Sequence, residues 1–338
     1  MSTYKTKYHN NEFDSKTILI SGGAGFIGSN IVEYLLMHNN VKVRVLDNLS
    51  NGFKENIEPF LSNPNFTFIE GDITDLKSCR DACIGVDLLS HQAALGSVPR
   101  SIENPLATHD ANVTGFINML IAARDANVDR IVYASSSSVY GDTTISPKVE
   151  GVEGTPLSPY AVSKVTNEYY AGVFARTYNM KIIGLRYFNV FGPRQNPKGP
   201  YAAAIPIFLE GLLTNTPVYI NGDGEQTRDF TFVENAVQAN IKALIATMPE
   251  AFNKVYNIAL GDSTSINDVY NSLCEITGIH TPANHREDRP GDVRSSHADT
   301  KLVEKMLNYH PQVRLKEGLQ KTYDWFKESM SYVQSTNK

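Results

Sequence analysis

Thr17-Ile18-Leu19-Ile20-Ser21, running into Gly22-Gly23-Ala24-Gly25-Phe26-Ile27-Gly28, is the stretch on which the fold turns. An apolar run of strand length enters a glycine-rich turn, and the pattern leaving it, Phe26–His38, reads as a helix. A second strand is expected at 41–47, where Val41, Val43 and Val45 alternate with Lys42 and Arg44. That is a βαβ unit, whose strands lie parallel. Further strand candidates at Phe66–Glu70, Leu88–His91, 130–135 and Lys181–Tyr187 are interleaved with helical stretches near 75–83, 105–126 and Pro159–Tyr178. The expectation is an α/β protein built on a doubly wound parallel sheet.

At 338 residues the chain is too long for one compact core and short for three, so two domains are expected. The segment Asn189-Val190-Phe191-Gly192-Pro193-Arg194-Gln195-Asn196-Pro197-Lys198-Gly199-Pro200-Tyr201 sets three prolines and two glycines where no regular element persists, and it marks the boundary. Residues 1–188 form the first domain, with later contributions near 228–250. Residues 189–338 form most of a smaller, mixed α/β second domain. Its elements are read as helices at 204–213, 233–247 and 315–330 and short strands at 217–220 and 228–231.

Hydrophobic residues make up 41% of the chain and charged residues 20%, as in ordinary globular proteins. The 31 basic and 36 acidic side chains leave a net charge of −5, and no polybasic run offers a footprint for nucleic acid. No stretch approaches the roughly 18 consecutive apolar residues of a membrane span. The polar N-terminus lacks the apolar centre of a signal peptide, so a cytoplasmic protein is expected. Cys79, Cys83 and Cys274 fit free thiols, no histidine stands at zinc-site spacing, and no metal is expected.

Gly22, Gly25 and Gly28 let the turn tighten and a pyrophosphate approach the backbone, although a plain structural turn would also use glycine. The helix that follows, opening with Phe26 and Ile27, offers donors and a positive dipole end. Asp47, with Asn48 after it, closes the second strand where a carboxylate accepts bonds from adenosine ribose hydroxyls and repels a 2′-phosphate. That selects NAD over NADP. Two more strand ends suit a dinucleotide lying along the sheet edge: Asp72 and Ile73 after the third strand, and Gln92, Ala93 and Ala94 after the fourth. Asp72 equally suits a turn cap. His91 reads as a packed histidine rather than an acid or base.

Ser158-Pro159 opens a helix that puts Tyr160 and Lys164 on one face. A cation beside a phenol lowers its pKa, and a lowered phenol serves as a general base. Ser135-Ser136-Ser137-Ser138 follows an apolar strand and brings hydroxyls to the same sheet edge.

Together with Asn112-Val113-Thr114-Gly115 and Tyr187-Phe188-Asn189, these motifs resemble the extended short-chain dehydrogenase/reductases acting on nucleotide sugars, over about residues 16–330. The resemblance implies a Rossmann-type domain, NAD as cofactor, and a cycle in which a tyrosine phenolate removes the sugar O4 proton while C4 hydride passes to NAD⁺. The dehydratases resembling this chain carry an Asp-Glu pair after the strand's Ser/Thr, and the UDP-glucuronate decarboxylases a Glu before Val-Tyr-Gly. Here Ser137-Ser138 precede Val139-Tyr140-Gly141. Without that acid the 4-keto sugar turns over and takes its hydride back on the other face, which is 4-epimerisation. A nucleotide-sugar dehydratase or decarboxylase is the alternative enzyme, and a non-catalytic NAD-binding sensor the alternative of another class.

By the same resemblance Tyr160 is the base, Lys164 its electrostatic support, Ser136 or Ser137 the O4 partner, and Tyr187 a cofactor contact. Asn189, Arg228 and Arg289 match diphosphate contacts, Asp292 a uridine-ribose ligand, and Tyr219 and Asn221 the segment near the base. Gly96, Ser97, Gln195 and Ala203, with Ser137, Asn189 and a small Ser296 where bacterial UDP-galactose 4-epimerases carry tyrosine, resemble the UDP-N-acetylglucosamine 4-epimerase subgroup. The substrate implied is a UDP-sugar, UDP-GlcNAc or UDP-GalNAc or their uronic-acid forms. A homodimer through helices 105–126 and Pro159–Tyr178 is also implied.

Overall fold

The computed structural model describes residues 4–38, 40–198, 202–287 and 294–336, with side chains up to residue 329. Its main sheet has seven strands: β1 (Thr17–Ser21), β2 (Lys42–Asp47), β3 (Phe66–Glu70), β4 (Leu88–His91), β5 (Arg130–Ser136), β6 (Lys181–Tyr187) and β7 (Lys254–Ile258). They lie in the order β7-β6-β5-β4-β1-β2-β3, and every neighbouring pair is parallel. This is the doubly wound, Rossmann-type α/β sheet expected from the sequence. The chain leaves β1 for β2 and β3, then crosses back to β4 on the other flank of β1. The carboxyl ends of β1 and β4 therefore border the crevice where such sheets hold ligands.

The longer helices are α1 (Phe26–His38), α2 (Leu76–Cys83), α3 (Gly115–Asp125), α4 (Pro159–Tyr178), α5 (Ala204–Thr214), α6 (Val233–Leu244), α7 (Ile266–Thr277) and α8 (Leu315–Thr336). Strand residues alternate between the two faces of the sheet. Ile18, Ile20, Val43 and Val45 pack with Ile31 and Leu35 of α1 and with Ala236 and Ile241 of α6. Leu19, Leu46, Leu89 and Ile131 pack on the other face with Cys79 of α2, Phe116 of α3 and Phe174 of α4. Because helices cover both faces, Ile18, Leu19 and Ile20 are all fully buried, which is why β1 reads as an unbroken apolar run.

Local signals set the helix ends. Asp75 caps α2 by accepting from the amides of Lys77 and Ser78, and Ser158 caps α4 by accepting from Ala161 N, with Pro159 in the first turn. The single helix expected at 105–126 is interrupted: Pro105–His109 and α3 are joined by a π-helical turn at Asp110–Thr114. That turn carries Asn112, which accepts from Leu95 N at 2.7 Å and donates to Leu95 O and Ser163 Oγ at 3.1 Å. The extra residue turns this amide inward, where it ties the loop after β4 to α4.

The second unit holds α5, α7 and α8 around Phe191, Phe208, Leu209, Phe230, Phe232 and Leu273. Short strand pairs stitch it together: Val190–Phe191 with Thr231–Phe232, Tyr219–Asn221 with Asn284–Arg286, and Thr227–Arg228 with Thr264–Ser265 and Ser295–Ser296. The single strand expected at 228–231 is thus two, broken at Asp229-Phe230.

Ahead of β1, the polar-looking N-terminus folds back over α1. Tyr4, Tyr8, His9 and Phe13 are buried around the fully buried Tyr34. The Tyr34 hydroxyl accepts from Tyr8 N at 2.7 Å and lies 2.7 Å from His9 Nδ1, while Tyr8 stacks on its ring at 5.6 Å. The Tyr8 hydroxyl donates to Glu234 of α6 at 3.1 Å. Tyr34→Phe leaves the Tyr8 amide without its acceptor in the interior, a loss of about 1–3 kcal/mol. A lowered urea midpoint and early proteolysis before residue 14 are the expected readouts; an unchanged midpoint would mean that the phenol does not hold this segment.

Candidate active site

Beyond Ser21 the chain reverses through Gly22 at φ +74°, pressed against the end of β4. A Cβ on Gly22 would stand 2.5 Å from Ala93 N, and one on Gly28 2.1 Å from Gly22 O, so neither position admits another residue without moving backbone. A Cβ on Gly25 would meet only Gly22 O, at 3.2 Å, leaving that backbone open toward the cavity it lines.

The cavity, of about 800 Å³, spreads from this turn over the strand ends. Gly22, Gly25, Phe26, Ile27, Asp47 and Asn48 line it, as do Asp72, Ile73, Gln92, Ala93 and Ala94. Ser136, Tyr160, Lys164 and Tyr187 line it too, and so do Gly96, Ser97, Asn189, Gln195 and Ala203. A second cavity of about 710 Å³ shares Asn189, Gln195 and Ala203 with the first and continues to Tyr219, Asn221 and Arg228. Two residues singled out in the sequence line neither. Ser137 opens the 3₁₀ turn Ser137–Tyr140 beyond Ser136, and Ser296 is buried in a strand paired with Arg228. Arg289 and Asp292 lie outside the described residues.

Several polar groups hold this surface in place. Asp47 accepts from Ala24 N and Leu49 N at 2.9 Å each; burial raises its pKa and these two bonds oppose the rise. Burial also pushes on Asp72, but bonds from Thr74 and Asn48 outweigh it and hold that carboxyl below its usual value. His91, at 2.6 Å from Ser21 Oγ, is buried beside Phe116. Burial, and then the charge of Lys164, lower its pKa to about 3, so it is a neutral packed histidine at physiological pH.

Tyr160 and Lys164 sit one turn apart on α4. The buried Lys164 ammonium donates to Ala134 O at 2.8 Å and lies 5.9 Å from the centre of the Tyr160 ring. Burial lowers Lys164 to about 8, and the Glu168 carboxylate one turn further along opposes that fall. At the phenol, burial raises the pKa and the hydroxyl of Ser136 pulls it back. The balance is upward because burial outweighs that bond, opposite to the lowering expected from a neighbouring cation, and the ammonium is directed to Ala134 O. Ser136 is therefore the hydroxyl that meets Tyr160.

Sequence reasoning missed the support under these groups. Glu168 accepts from Ser135 Oγ at 2.6 Å and from Arg186 Nε and Nη2 at 2.9 and 2.7 Å, and Arg186 also pairs with Glu153. It also missed Arg194, which lines the first cavity and pairs with Glu33 at 2.6 Å, and Arg286, which donates to Asn221 Oδ1 at 2.6 Å in the second. The Glu168 spacing on α4 was readable; the arginines are single basic residues without a pattern.

A glycine cradle too tight for side chains, an open backbone beside it, and a phenol, a hydroxyl and an ammonium in one cavity fit a bound dinucleotide. Fold and site together define an extended short-chain dehydrogenase/reductase. Comparison with known proteins agrees. Residues 18–259 match the model of the NAD dependent epimerase/dehydratase family, and the chain belongs to that family, whose cofactor is NAD. It is 39% identical over 313 residues to a putative UDP-glucose 4-epimerase of Methanocaldococcus jannaschii, covering 92% of this chain and 99% of that one. Among solved structures, the UDP-N-acetylglucosamine 4-epimerase of Methanobrevibacter ruminantium in complex with UDP-N-acetylmuramic acid is similar with TM-score 0.87 and 36% identity, over 94% of this chain and 100% of that one. The UDP-glucuronic acid 4-epimerase of Bacillus cereus, with UDP-glucuronic acid and NAD, is similar with TM-score 0.85 and 31% identity, over 93% and 99%.

Tyr160→Phe keeps the ring and removes the hydroxyl. Turnover is expected to fall by at least ~10²-fold, as for loss of a general base, with NAD binding retained in a titration. Near-normal turnover would show that another group takes the proton.

Proposed function

We propose that this enzyme is a UDP-sugar 4-epimerase that interconverts UDP-N-acetylglucosamine and UDP-N-acetylgalactosamine, or their uronic-acid forms. The observation that carries the reading is the placement of Tyr160, Ser136 and Lys164 on the wall of a cavity that adjoins the Arg228 cleft. NAD, when bound, accepts the C4 hydride and gives it back. Tyr160 takes the O4 proton and returns it, Ser136 hydrogen-bonds the phenol or O4, and Lys164 keeps a positive charge beneath them. A guanidinium at Arg228 suits a diphosphate, and Tyr219 and Asn221 suit the base. Arg289 and Asp292 are assigned to the diphosphate and the ribose on resemblance alone.

Among the described residues, the carboxylates lining the catalytic cavity are Asp47, Asp72 and Asp110, and none of these belongs to the segment after β5. That favours epimerisation over dehydration or decarboxylation, each of which needs an acid there in the family. The choice of an N-acetylated sugar is supported by the small residues Gly96, Ser97 and Ala203 and by Gln195. Its Nε2 donates to Val190 O at 3.1 Å, while its buried Oε1 has no partner among the described residues, an acceptor suited to an amide N–H. Incubation with UDP-N-acetylglucosamine should yield UDP-N-acetylgalactosamine faster than UDP-glucose yields UDP-galactose; the reverse preference would overturn the choice of sugar and leave the chemistry standing. Ser296 lines neither cavity, and its assignment beside the N-acetyl group rests on resemblance alone; that assignment predicts for Ser296→Tyr, where added bulk typically costs 1–3 kcal/mol, a roughly 5- to 150-fold fall on the N-acetylated substrate with UDP-glucose largely spared. Equal losses on both would remove Ser296 from the N-acetyl site.

A homodimer fits the surface. On α4, Val162, Tyr169 and Val173 are exposed on one stripe, and Leu106, at 75% exposure, stands on the neighbouring helix. Apolar rows of this kind on a soluble protein favour burial against a partner. No helix among the described residues is long and apolar enough to cross a membrane, and all three cysteines are buried free thiols, which suits the expected cytoplasmic location. Light scattering at micromolar concentration should give the mass of two chains; a single-chain mass throughout would exclude the dimer.

A further inference from the structure

Asn240 belongs to α6, in the second half of the chain, yet it is fully buried beneath the catalytic cavity without lining it. Both its donors and both its acceptor positions are used. Nδ2 donates to the Tyr187 hydroxyl at 2.7 Å and to Ala236 O at 2.8 Å, and Oδ1 accepts from Ser90 Oγ at 3.1 Å and Gln92 Nε2 at 3.0 Å. Tyr187 in turn donates to Gln92 Oε1 at 3.1 Å. The bonds close into a ring: Asn240 gives to Tyr187, Tyr187 to Gln92, and Gln92 back to Asn240. Each link dictates the direction of the next. With an N–H of Asn240 pointing at its oxygen, Tyr187 has to spend its own proton on Gln92, and the Gln92 amide is held in one of its two orientations.

Gln92 and Tyr187 both line the cavity, and Tyr187 is the register partner of Ser136 on the adjacent strand. We propose that Asn240 is a positioning residue for the cofactor, fixing the Gln92 amide and the Tyr187 hydroxyl in the one arrangement that the bound nicotinamide half meets. The proposal rests on the NAD reading of this cavity. It also separates the two phenols beside the substrate. The Tyr187 hydroxyl accepts from Asn240 and donates to Gln92, so its proton is committed within the ring. Tyr160, whose oxygen meets only Ser136 among these groups, stands outside that ring.

The test is calorimetric titration of the NAD-free protein with NAD for wild type, Asn240→Leu, Asn240→Asp, Tyr187→Phe and the double variant Asn240→Leu/Tyr187→Phe, with melting temperatures taken alongside. Asn240→Leu and Tyr187→Phe should each weaken NAD about 5- to 10-fold, the scale of one hydrogen bond lost. The double variant should be no more than about 2-fold weaker than the worse single one, because both cut the same ring. Asn240→Asp has the same size and keeps the acceptor for Ser90 and Gln92, but its carboxylate would draw the Tyr187 proton away from Gln92. It should therefore lose NAD affinity too, and it decides the matter if the Leu variant does not fold. A merely structural role predicts lower melting temperatures with wild-type NAD affinity in the folded variants, and that result would overturn the proposal. Losses that multiply in the double variant would do the same. Failure of the wild type to bind NAD would instead remove the cofactor reading, and the proposal with it.

Discussion

The contact between the glycine turn after β1 and the end of β4 is the constraint that the site depends on. With 2.5 Å between a notional Gly22 Cβ and Ala93 N, the two strand ends stand as close as backbone permits. This closeness forms the crevice floor. It puts the N-terminus of α1 beside Gln92, Ala93 and Ala94, so the donors of the turn and the polar edge of β4 line one cavity. The partner constraint lies at Gly28, where the helix packs on the carbonyl of Gly22 and directs its first turn at the cavity.

Beneath Tyr160 and Ser136 the interior is polar, and its charged groups are paired. Lys164 is stabilised as an ammonium by Ala134 O and by the charge of Glu168, and Glu168 is forked by Arg186, which is itself buried. A buried charge without such partners would be neutralised or would distort the fold. α4 is tied on this side by the Glu168–Arg186 pair and on the other by the Asn112–Ser163 bond. Tyr160 is carried on the same helix.

The sheet was legible because parallel strands covered on both faces write themselves as apolar runs, as β1 does, and because β2 alternates its valines with Lys42 and Arg44. β7 was not, since Lys254-Val255-Tyr256-Asn257-Ile258 is short and mixed, and only pairing with β6 makes it a strand. The residues at the strand ends, read from their positions in the sequence, line the first cavity. The folded-back N-terminus was hidden, because Tyr4, Tyr8 and His9 carry polar atoms and their burial depends on the remote Tyr34 and Glu234. Asn240 was hidden for the same reason: an asparagine on a helix has no sequence signal until Ser90, Gln92 and Tyr187 surround it. The upward balance at Tyr160 was also beyond sequence, which places Lys164 on the same face without showing that its ammonium turns to Ala134 O.

Asp229 shows how the second unit is tied to the first at a cost in stability. It follows Arg228 and accepts from the amides of Leu260 and Gly261, beyond β7, and of Ala298, beyond Ser296. Burial raises its pKa to about 6 although these three bonds favour the carboxylate. A carboxyl raised in the folded state stabilises the fold below its unfolded value, near 4, and that contribution is lost as pH rises through about 6. At neutral pH the ionised group therefore opposes folding. What it secures is geometric: three backbone segments converge on one side chain, and Arg228, its chain neighbour, is held at the mouth of the second cavity. The second cavity is in this way built onto the last strand of the sheet whose strand ends line the first.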